Sequence, residues 1–325
     1  MNGFFARILI RAAAAMAFVV AVGTASAQAY PDKPVRIIVG FAPGGSSDIV
    51  ARLVSQHLAP LLGQPVIVEN RPGAAGTTAS DYVAKSAPDG HTLLLATPGH
   101  STAAAFMRKL PFEPVEDFAW VTTLTTYPLL IATRPESPIK SLADLISQAK
   151  AAPGRISFGS TGVGAGQHML TEWFSAETGI ELLHVPFKGG TAVIAEVMTG
   201  RVDIIFETVT LALPHVKSGK LRALAVTSRE PTSFLPGTPA AAQTVPGFVF
   251  QSWLGIAAPA RTPPAIVDRL NRDLRRVLAE PDAQKRFADL GGRTSPSSPA
   301  ELRAQVEAEI ARWNRITDTR RIERR

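Results

Sequence analysis

The sequence has no cysteine among its 325 residues. Disulfide bonds, thiolate zinc sites, iron–sulfur clusters and cysteine nucleophiles are therefore excluded. Only 7% of the residues are aromatic and 19% are charged, whereas 46% are hydrophobic, as in globular proteins. No apolar run long enough to cross a membrane occurs after residue 27, so we expect the mature protein to be soluble.

Positive charge is in excess but dispersed. The chain carries 34 Lys and Arg against 27 Asp and Glu, a formal net charge of +7. Arg7 and Arg11 lie near the amino terminus, and residues 320–325 form a basic tail that we expect to be a solvated end. Because no basic stripe is interleaved with aromatic residues, we predict no nucleic-acid binding.

Residues 1–27 have the pattern of a secretory signal peptide. Two arginines precede an apolar run from Ala12 to Val22, and Ala25-Ser26-Ala27 is a small-residue cleavage site. The alternative is a membrane anchor, but the run spans only about half of the roughly 20 residues that a bilayer requires. We predict cleavage before Gln28, which lowers the net charge to +5, and a periplasmic chain without a lipid anchor, because no cysteine follows the run.

From Pro34 onward, short β-rich runs alternate with amphipathic stretches, which predicts parallel sheets with helices on both faces. The predicted strands are 35–39, 66–70, 92–96, 129–132, 156–159, 182–185, 202–206 and 221–227. The predicted helices are 48–62, 77–86, one beginning after Ser141, 167–178, 191–199, 263–278 and 300–316. We expect two α/β domains, with the last two helices packed on the first domain because they have no strands of their own.

Three glycine-rich loops, 41–48, 160–168 and 186–191, each join the carboxyl end of a predicted strand to the start of a predicted helix. Ligands bind at this position in doubly wound sheets. Free N–H groups and the positive end of the helix dipole attract anions there. One such loop alone is more often a plain connection, but three in one chain favour an anion site.

Several side chains near these loops have more than one interpretation. Asp48 is either a helix cap or a contact for an amine, and His168 is either a donor to an anion or a packed core residue. Glu207, just past a predicted strand, is equally ambiguous. Hydroxyls that could be helix caps, ligand donors or nucleophiles belong to Ser46, Ser47 and Ser160.

Catalytic and cofactor motifs do not occur in the sequence. Residues 162–166 read G-x-G-x-G and not the dinucleotide fingerprint, and no G-K-[ST] completes a phosphate-binding loop. No G-x-S-x-G is present, and the six histidines lack H-E-x-x-H or H-x-H spacing. We therefore predict no enzymatic activity, no cofactor and no metal.

The chain resembles the Bug-type extracytoplasmic solute receptors, the substrate-binding component of tripartite tricarboxylate transporters. The matching stretches are YPDKPVR at 30–36, FAPGGSSDIVAR at 41–52, ENRPGAAG at 69–76, APDGHTLL at 87–94, HVPFKGG at 184–190, GKLRALAVT at 219–227 and APARTP at 258–263. Their order and their spread over nearly the whole mature chain make the resemblance specific.

The resemblance implies an α/β, two-lobed periplasmic-binding-protein fold of type II, in which each lobe is a sheet flanked by helices and hinge strands cross between the lobes. Lobe one would comprise residues 28–127 and 251–325, and lobe two residues 128–250. The ligand-binding residues implied by position are Phe41, Ala42, Gly44, Gly45, Ser46, Ser47 and Asp48 in lobe one, and Ser160, Thr161, Gly164, Ala165, Gly166 and His168 in lobe two. We include Glu207 with them.

Three positions depart from the family pattern. Ala165 replaces the serine of G-x-G-S, Phe187 replaces the tyrosine of P-Y-K-G, and F-D-N reads Phe206-Glu207-Thr208. The changes predict a less polar pocket, suited to an aromatic or larger acid.

The expected function is capture of a small organic anion, most simply a carboxylate, in the cleft between the lobes. A monomeric receptor of this kind would deliver its ligand to a tripartite tricarboxylate-type membrane permease. The alternative is a sensing receptor that presents its closed form to a membrane sensor kinase. A periplasmic enzyme on the same fold would need a positioned nucleophile and base, and the sequence shows no such pair.

Overall fold

The structure, a computed structural model, describes residues 30–319 and 321–324. The predicted signal peptide, residues 1–27, lies outside the described residues. The chain divides after Asp32, and the fold described below lies in the unit that begins at Lys33. Within the described ranges, no helix has the length and apolar character needed to cross a membrane.

The strands of the described chain form one curled mixed sheet in two parts. The first part contains β1 (Val35–Val39), β2 (Val66–Asn70), β3 (Thr92–Ala96), β9 (Gln251–Pro259) and the short β10 (Arg293–Thr294). The second part contains β5 (Ser157–Ser160), β6 (Leu183–Pro186), β7 (Ile204–Thr208) and β8 (Arg222–Val226). The strands β1, β2 and β3 are parallel to one another, as are β5, β6 and β7, which confirms the α/β alternation read from the sequence.

Helices flank both parts of the sheet. Those that follow the first three strands are α1 (Ser46–Leu62), α2 (Thr77–Ala84) and α3 (Pro98–Phe106). Those of the middle of the chain are α4 (Leu142–Ala151), α5 (Gly166–Thr178), α6 (Gly190–Thr199) and α7 (Val209–Lys217). The last three are α8 (Pro264–Ala279), α9 (Pro281–Asp289) and α10 (Pro299–Thr319).

One long strand, β4 (Phe118–Thr133), belongs to both parts of the sheet. Its first half pairs with β9 as far as Pro128, and its second half pairs with β7 and β8 from Leu129 or Leu130 onward. The sequence predicted a strand only over 129–132, because the proline interrupts the β pattern. Proline has no N–H to donate to a ladder, and here it lies where the strand changes partners.

Local sequence signals fix several helix ends. The helix α1 ends at Gly63, which adopts a left-handed conformation with φ of 67° and donates to the carbonyl of Ala59, as glycine does at helix ends. The predicted cap Ser141 begins α4 by accepting a hydrogen bond from the Asp144 N–H at 3.1 Å. Both signals were correct.

Three helices have no counterpart in the sequence-based prediction: α3, α7 and α9. All but one of the nine residues of α3 are buried, so it lacks the polar face on which a helical period depends. The helix α7 follows β7 directly and contains Pro214. The first turns of α3 and α7 lie beside the cavity described below, so the sequence-based prediction missed two helices that form part of its wall.

The C-terminal segment packs on both parts of the sheet and not on the first alone. Leu302 and Val306 of α10 join the core beneath the first part, and Trp313 joins the core of the second. Ile322 packs against the same second core, and Arg324 donates to the carbonyl of Ala105 at 2.9 Å. The expectation of a solvated tail is therefore wrong for Ile322 and Arg324, because apolar and backbone contacts hold them, whereas Glu323 between them is exposed.

Gly159 of β5 allows α6 to pack closely on the sheet. A Cβ at this position would overlap Cγ1 of Val193, which is fully buried. We expect Gly159→Ala to lower the free energy of unfolding by about 1–3 kcal/mol, the cost of overpacking a core, as measured by urea denaturation. The double variant Gly159→Ala/Val193→Ala should lose less than the sum of the two single losses; additive losses would contradict the proposed overlap.

Candidate functional site

A cavity of about 490 Å³ lies where the carboxyl ends of the strands meet the amino ends of the helices. This volume is within the range of small-molecule sites. Much of the wall is apolar and comes from both parts of the sheet, with Phe41, Leu129, Leu211, Phe250 and Leu254 among the lining residues. The middle of the cavity can therefore hold a hydrocarbon chain, and the polar groups of the wall are concentrated where the helices begin.

Several helices direct their first turns at this cavity. Ser46 of α1, Gly166 of α5 and Gly190 of α6 line it. The residues before them, Gly45, Ala165 and Gly189, make no side-chain capping hydrogen bond. Because the first N–H groups of a helix have no partner within the helix, these uncapped turns can donate hydrogen bonds to a bound anion.

Tyr127 contributes a buried hydroxyl to the wall. It is 2% exposed, and its hydroxyl interacts with Ser252 and Ser46. Burial raises the pKa of Tyr127 to about 12 despite these hydrogen bonds. The phenol therefore stays neutral at physiological pH and remains a hydrogen-bond donor.

Glu207 lies at the carboxyl end of β7 and is 1% exposed. Its Oε1 accepts hydrogen bonds from the Thr208 N–H at 2.7 Å and the Thr208 hydroxyl at 2.9 Å. Burial raises the pKa of the Glu207 carboxyl, and the hydrogen bonds from Thr208 and Gln167 only partly oppose this effect. A protonated carboxyl group in the wall can donate as well as accept.

The structure brings eight of the predicted site residues to the cavity wall and leaves six outside its lining. Those at the wall are Phe41, Ala42, Gly45, Ser46, Ser47, Thr161, Gly166 and Glu207. Those outside it are Gly44, Asp48, Ser160, Gly164, Ala165 and His168. Of the three departures from the family pattern, Thr208 lines the cavity but Ala165 and Phe187 do not, so neither of these two directly makes the wall less polar.

Asp48 holds the first loop from behind. One oxygen accepts from the Gly44 N–H at 3.0 Å and from Arg52, and the other accepts from Arg52 and from Asn70 at 3.0 Å. Burial acts to raise the pKa of Asp48, but the hydrogen bonds and the Arg52 charge together hold it below its usual value. The carboxylate is fully engaged, which favours the structural reading of Asp48.

A pair of histidines holds the second loop. The Ser160 hydroxyl lies 2.6 Å from His184 Nε2, and His168 Nδ1 accepts from the Gly164 N–H at 3.1 Å. The two imidazole rings stack with centroids 4.0 Å apart. The structure thus favours the packed-residue reading of His168, with its imidazole fixing the loop backbone.

Some wall residues were absent from the predicted set. Tyr127, Thr97 and Pro98 belong to segments for which no site was predicted, and Gly190 lies in the third glycine-rich loop, which was recognised but not assigned. Thr97 followed by Pro98 at the first helical position is a helix-start signal, and it could have identified α3. Residues 33–319 and 321–324 contain no cluster of three or more His, Asp or Glu suited to a metal ion.

The two sides of the cavity meet at its rim. The hydroxyl of Thr191, in the first turn of α6, donates to the carbonyl of Gly44 at 3.4 Å. A two-part sheet that shares a crossing strand, with a cavity enclosed by helix ends from both parts, defines the architecture of a two-lobed periplasmic solute-binding protein.

The sequence pattern of the family described as "Tripartite tricarboxylate transporter family receptor" matches residues 50–322, and the chain belongs to this family. It is a receptor of the Bug type, as similarity to Bug proteins shows. Members of the family are solute-binding proteins and not enzymes.

The similarity extends over most of the chain. The protein BugT of Bordetella pertussis is 37% identical over 291 residues, which cover 89% of each chain. Rpa4515 of R. palustris, solved with adipate, is 33% identical with a TM-score of 0.88 and covers 91% of this chain and 100% of its own. MatC of Rhodopseudomonas palustris, solved with bound malate, is 33% identical with a TM-score of 0.85 and covers 88% of this chain and 99% of its own.

The Asp48 network predicts a pH-dependent contribution to stability. The folded-state pKa of Asp48 lies below its unfolded value, so the contribution is present above about pH 4 and is lost as the pH falls through the folded-state pKa. We expect Asp48→Asn to lower the free energy of unfolding at pH 7 by about 1–3 kcal/mol. Urea denaturation from pH 7 down to pH 3 should show the difference from wild type narrowing.

The matched control is Asp289→Asn. Asp289 pairs with Lys285 on the surface, where both side chains are exposed, so this change should leave stability nearly unaltered at every pH. Equal losses for the two variants would show that the buried network has no special role.

Proposed function

We propose that the protein is a periplasmic, monomeric receptor that binds the carboxylate of a small organic acid in the cavity and delivers it to a tripartite tricarboxylate-type membrane permease. The observation that carries the proposal is the convergence of the uncapped first turns of α1, α5 and α6 on one cavity. N–H groups at helix ends suit a carboxylate, and the dipoles add attraction for negative charge.

The energy of such an interaction is sufficient. Micromolar binding requires about 8 kcal/mol. Hydrogen bonds to a charged group contribute about 1.5–3 kcal/mol each, so four or five of them match this value after part is lost to desolvation and closure. The N–H groups of the three first turns and the hydroxyls of Ser46 and Tyr127 are sufficient in number.

The walls favour an acid with a hydrocarbon body. Between the polar helix ends the cavity presents Leu129, Leu211 and Leu254 together with two phenylalanines. Buried apolar area contributes about 25 cal/mol per Å², so an extended chain gains more here than a short hydroxy acid. Related receptors have been solved with adipate and with malate, and both are appropriate first ligands.

Delivery to the permease requires the cavity to open and close. We propose that residues 28–127 with 251–325 form one lobe and residues 128–250 the other, with hinges where the chain crosses near Pro128 and between β8 and β9. Closure would bring Thr191 to Gly44, the contact present at the rim. Residues 1–27 are proposed to direct export and to be removed before Gln28.

Isothermal titration tests the ligand class. The panel contains adipate, malate, a monocarboxylate of the same chain length as each of these two, and the uncharged adipamide. We expect micromolar binding for at least one acid, tighter binding for adipate than for malate, and no heat with adipamide. The absence of heat with every acid up to millimolar concentration would contradict the proposal.

A charge placed at the start of α1 tests the helix-end site. We expect Ser46→Asp to weaken adipate binding at least tenfold, because the new carboxylate competes for the N–H groups and repels the anion. The fold should keep its stability, since an acidic residue is favourable in a first helical turn. Ser141→Asp at the start of α4, outside the cavity lining, is the control and should bind as wild type; an unchanged affinity in Ser46→Asp would remove α1 from the site.

A further inference from the structure

Glu207 is a buried acid in the wall of a cavity that otherwise favours anions. Its Oε1 accepts from Thr208 twice, and Gln167 Nε2 adds a longer contact at 3.4 Å. Its Oε2 is buried and has no hydrogen-bond partner among the described residues. This oxygen lies against Gly190, and the side chain of Leu211 approaches the same glycine; both residues also line the cavity.

The hydrogen-bond partners of the two oxygens fit a neutral acid better than a carboxylate. In an ionised carboxylate both oxygens would accept hydrogen bonds. Here all the donors meet Oε1, as they do at the carbonyl oxygen of a carboxylic acid. The second oxygen then carries the proton and requires an acceptor. A buried hydroxyl without one costs about 1–3 kcal/mol, which a bound acceptor would recover.

Among the described residues, no cation forms an ion pair with Glu207. The titratable residues of the cavity wall besides Glu207 are Tyr127 of β4, a neutral phenol, and Lys188, which is exposed on the loop before α6. The residues around Glu207 are Thr208, which ends β7, Gln167 of α5, Gly190 of α6 and Leu211 of α7, all uncharged. Burial accordingly raises the pKa of Glu207.

The other titratable groups of the packed helices are engaged elsewhere. On α5, His168 stacks on His184 with Glu172 beside it, and Glu177 accepts from Trp173. On α6, Glu196 pairs with Arg201. On α7, His215 and Lys217 lie in the last turn, at the opposite end from Glu207.

We propose that Glu207 binds the solute as a neutral carboxylic acid, donating a hydrogen bond from Oε2 to a carboxylate oxygen of the solute. This inference rests on the proposed function. It makes recognition proton-coupled: where Glu207 is ionised in the free receptor, each binding event takes up one proton from solvent. In the opposite arrangement, an ionised Glu207 accepts a hydrogen bond from an ammonium group of the solute. Binding would then take up no proton and would favour amino acids.

Titration calorimetry with adipate between pH 6 and pH 9 separates these cases. Carboxylic acids ionise near pH 4, and the second carboxyl of a diacid somewhat higher, so adipate carries both charges over nearly all of this range. For wild type we expect the Kd to rise with pH, approaching about tenfold per pH unit above the Glu207 pKa. Repetition in buffers of different ionisation enthalpy should show proton uptake approaching one per adipate.

Glu207→Gln is the informative variant because the amide keeps both a donor and an acceptor without a titrating proton. We expect it to bind adipate at pH 6 within about threefold of wild type, with a flat pH profile and no proton uptake. Glu207→Ala should weaken binding about tenfold at pH 6. A glutamate carboxyl-carbon NMR signal that is missing in Glu207→Gln should titrate above the ordinary glutamate range in the free receptor, because burial raises the pKa of Glu207.

The results that would contradict the role of Glu207 differ from the result that would contradict the proposed function. A wild-type Kd that stays constant, without proton uptake, through the pH range in which the Glu207 carbon signal titrates overturns the inference. A tenfold loss of adipate binding in Glu207→Gln overturns it too. A Glu207 carbon signal that titrates at or below the ordinary glutamate value overturns it without reference to any ligand. Failure of every acid in the panel to bind contradicts the proposed function instead.

Discussion

At Pro128 the long strand β4 stops pairing with β9 and begins to pair with β7 and β8, and the rest of the fold is arranged around this change. The next residue, Leu129, donates its N–H to the hydroxyl of Thr227 at 2.8 Å. Thr227 in turn donates to the carbonyl of Phe250 at 2.9 Å. The buried Thr227, which follows β8, therefore connects β4 to the residue that precedes β9. In a hinge, a few residues absorb the rotation of one lobe against the other. This junction comprises only a few residues, which supports the hinge proposed near Pro128.

The same topology determines the chemistry of the cavity. Parallel strands direct their carboxyl ends, and hence the starts of the following helices, to the same edge. At this edge α1, α5 and α6 begin at Gly45, Ala165 and Gly189 without a side-chain cap. Outside the cavity lining, α4 is capped by Ser141. The helix α3 also begins at the cavity wall, and it is capped by Thr97. Glycine in place of a polar cap costs only a few tenths of a kcal/mol, so α1 and α6 keep their first N–H groups free for a ligand at little cost in stability.

The sequence was informative where structure is local and much less so where it depends on packing. Strand runs, the glycine end of α1 and the Ser141 cap are encoded by neighbouring residues, and the structure agrees with them. The buried helix α3 has no polar face, and β4 continues through a proline, so neither has the usual pattern. Asp48 was assigned to the cavity because its loop is; its spacing of four residues from Arg52 is a helical ion-pair signal, and it could have indicated the structural role. Tyr127 was not identified because no local motif surrounds it.

Glu207 shows why the sequence alone left its role open. An acid after a strand is equally compatible with binding a cation, an amine or nothing, and the choice depends on burial and on which neighbours are charged. The structure surrounds it with Thr208, Gln167, Gly190 and Leu211, none of which neutralises a carboxylate. An arginine at this position would attract any anion, whereas a neutral acid donates one directional hydrogen bond and adds no net charge. Selection among acids must then come from the apolar wall between the helix ends, which distinguishes solutes by the length and polarity of the chain that carries the carboxylate.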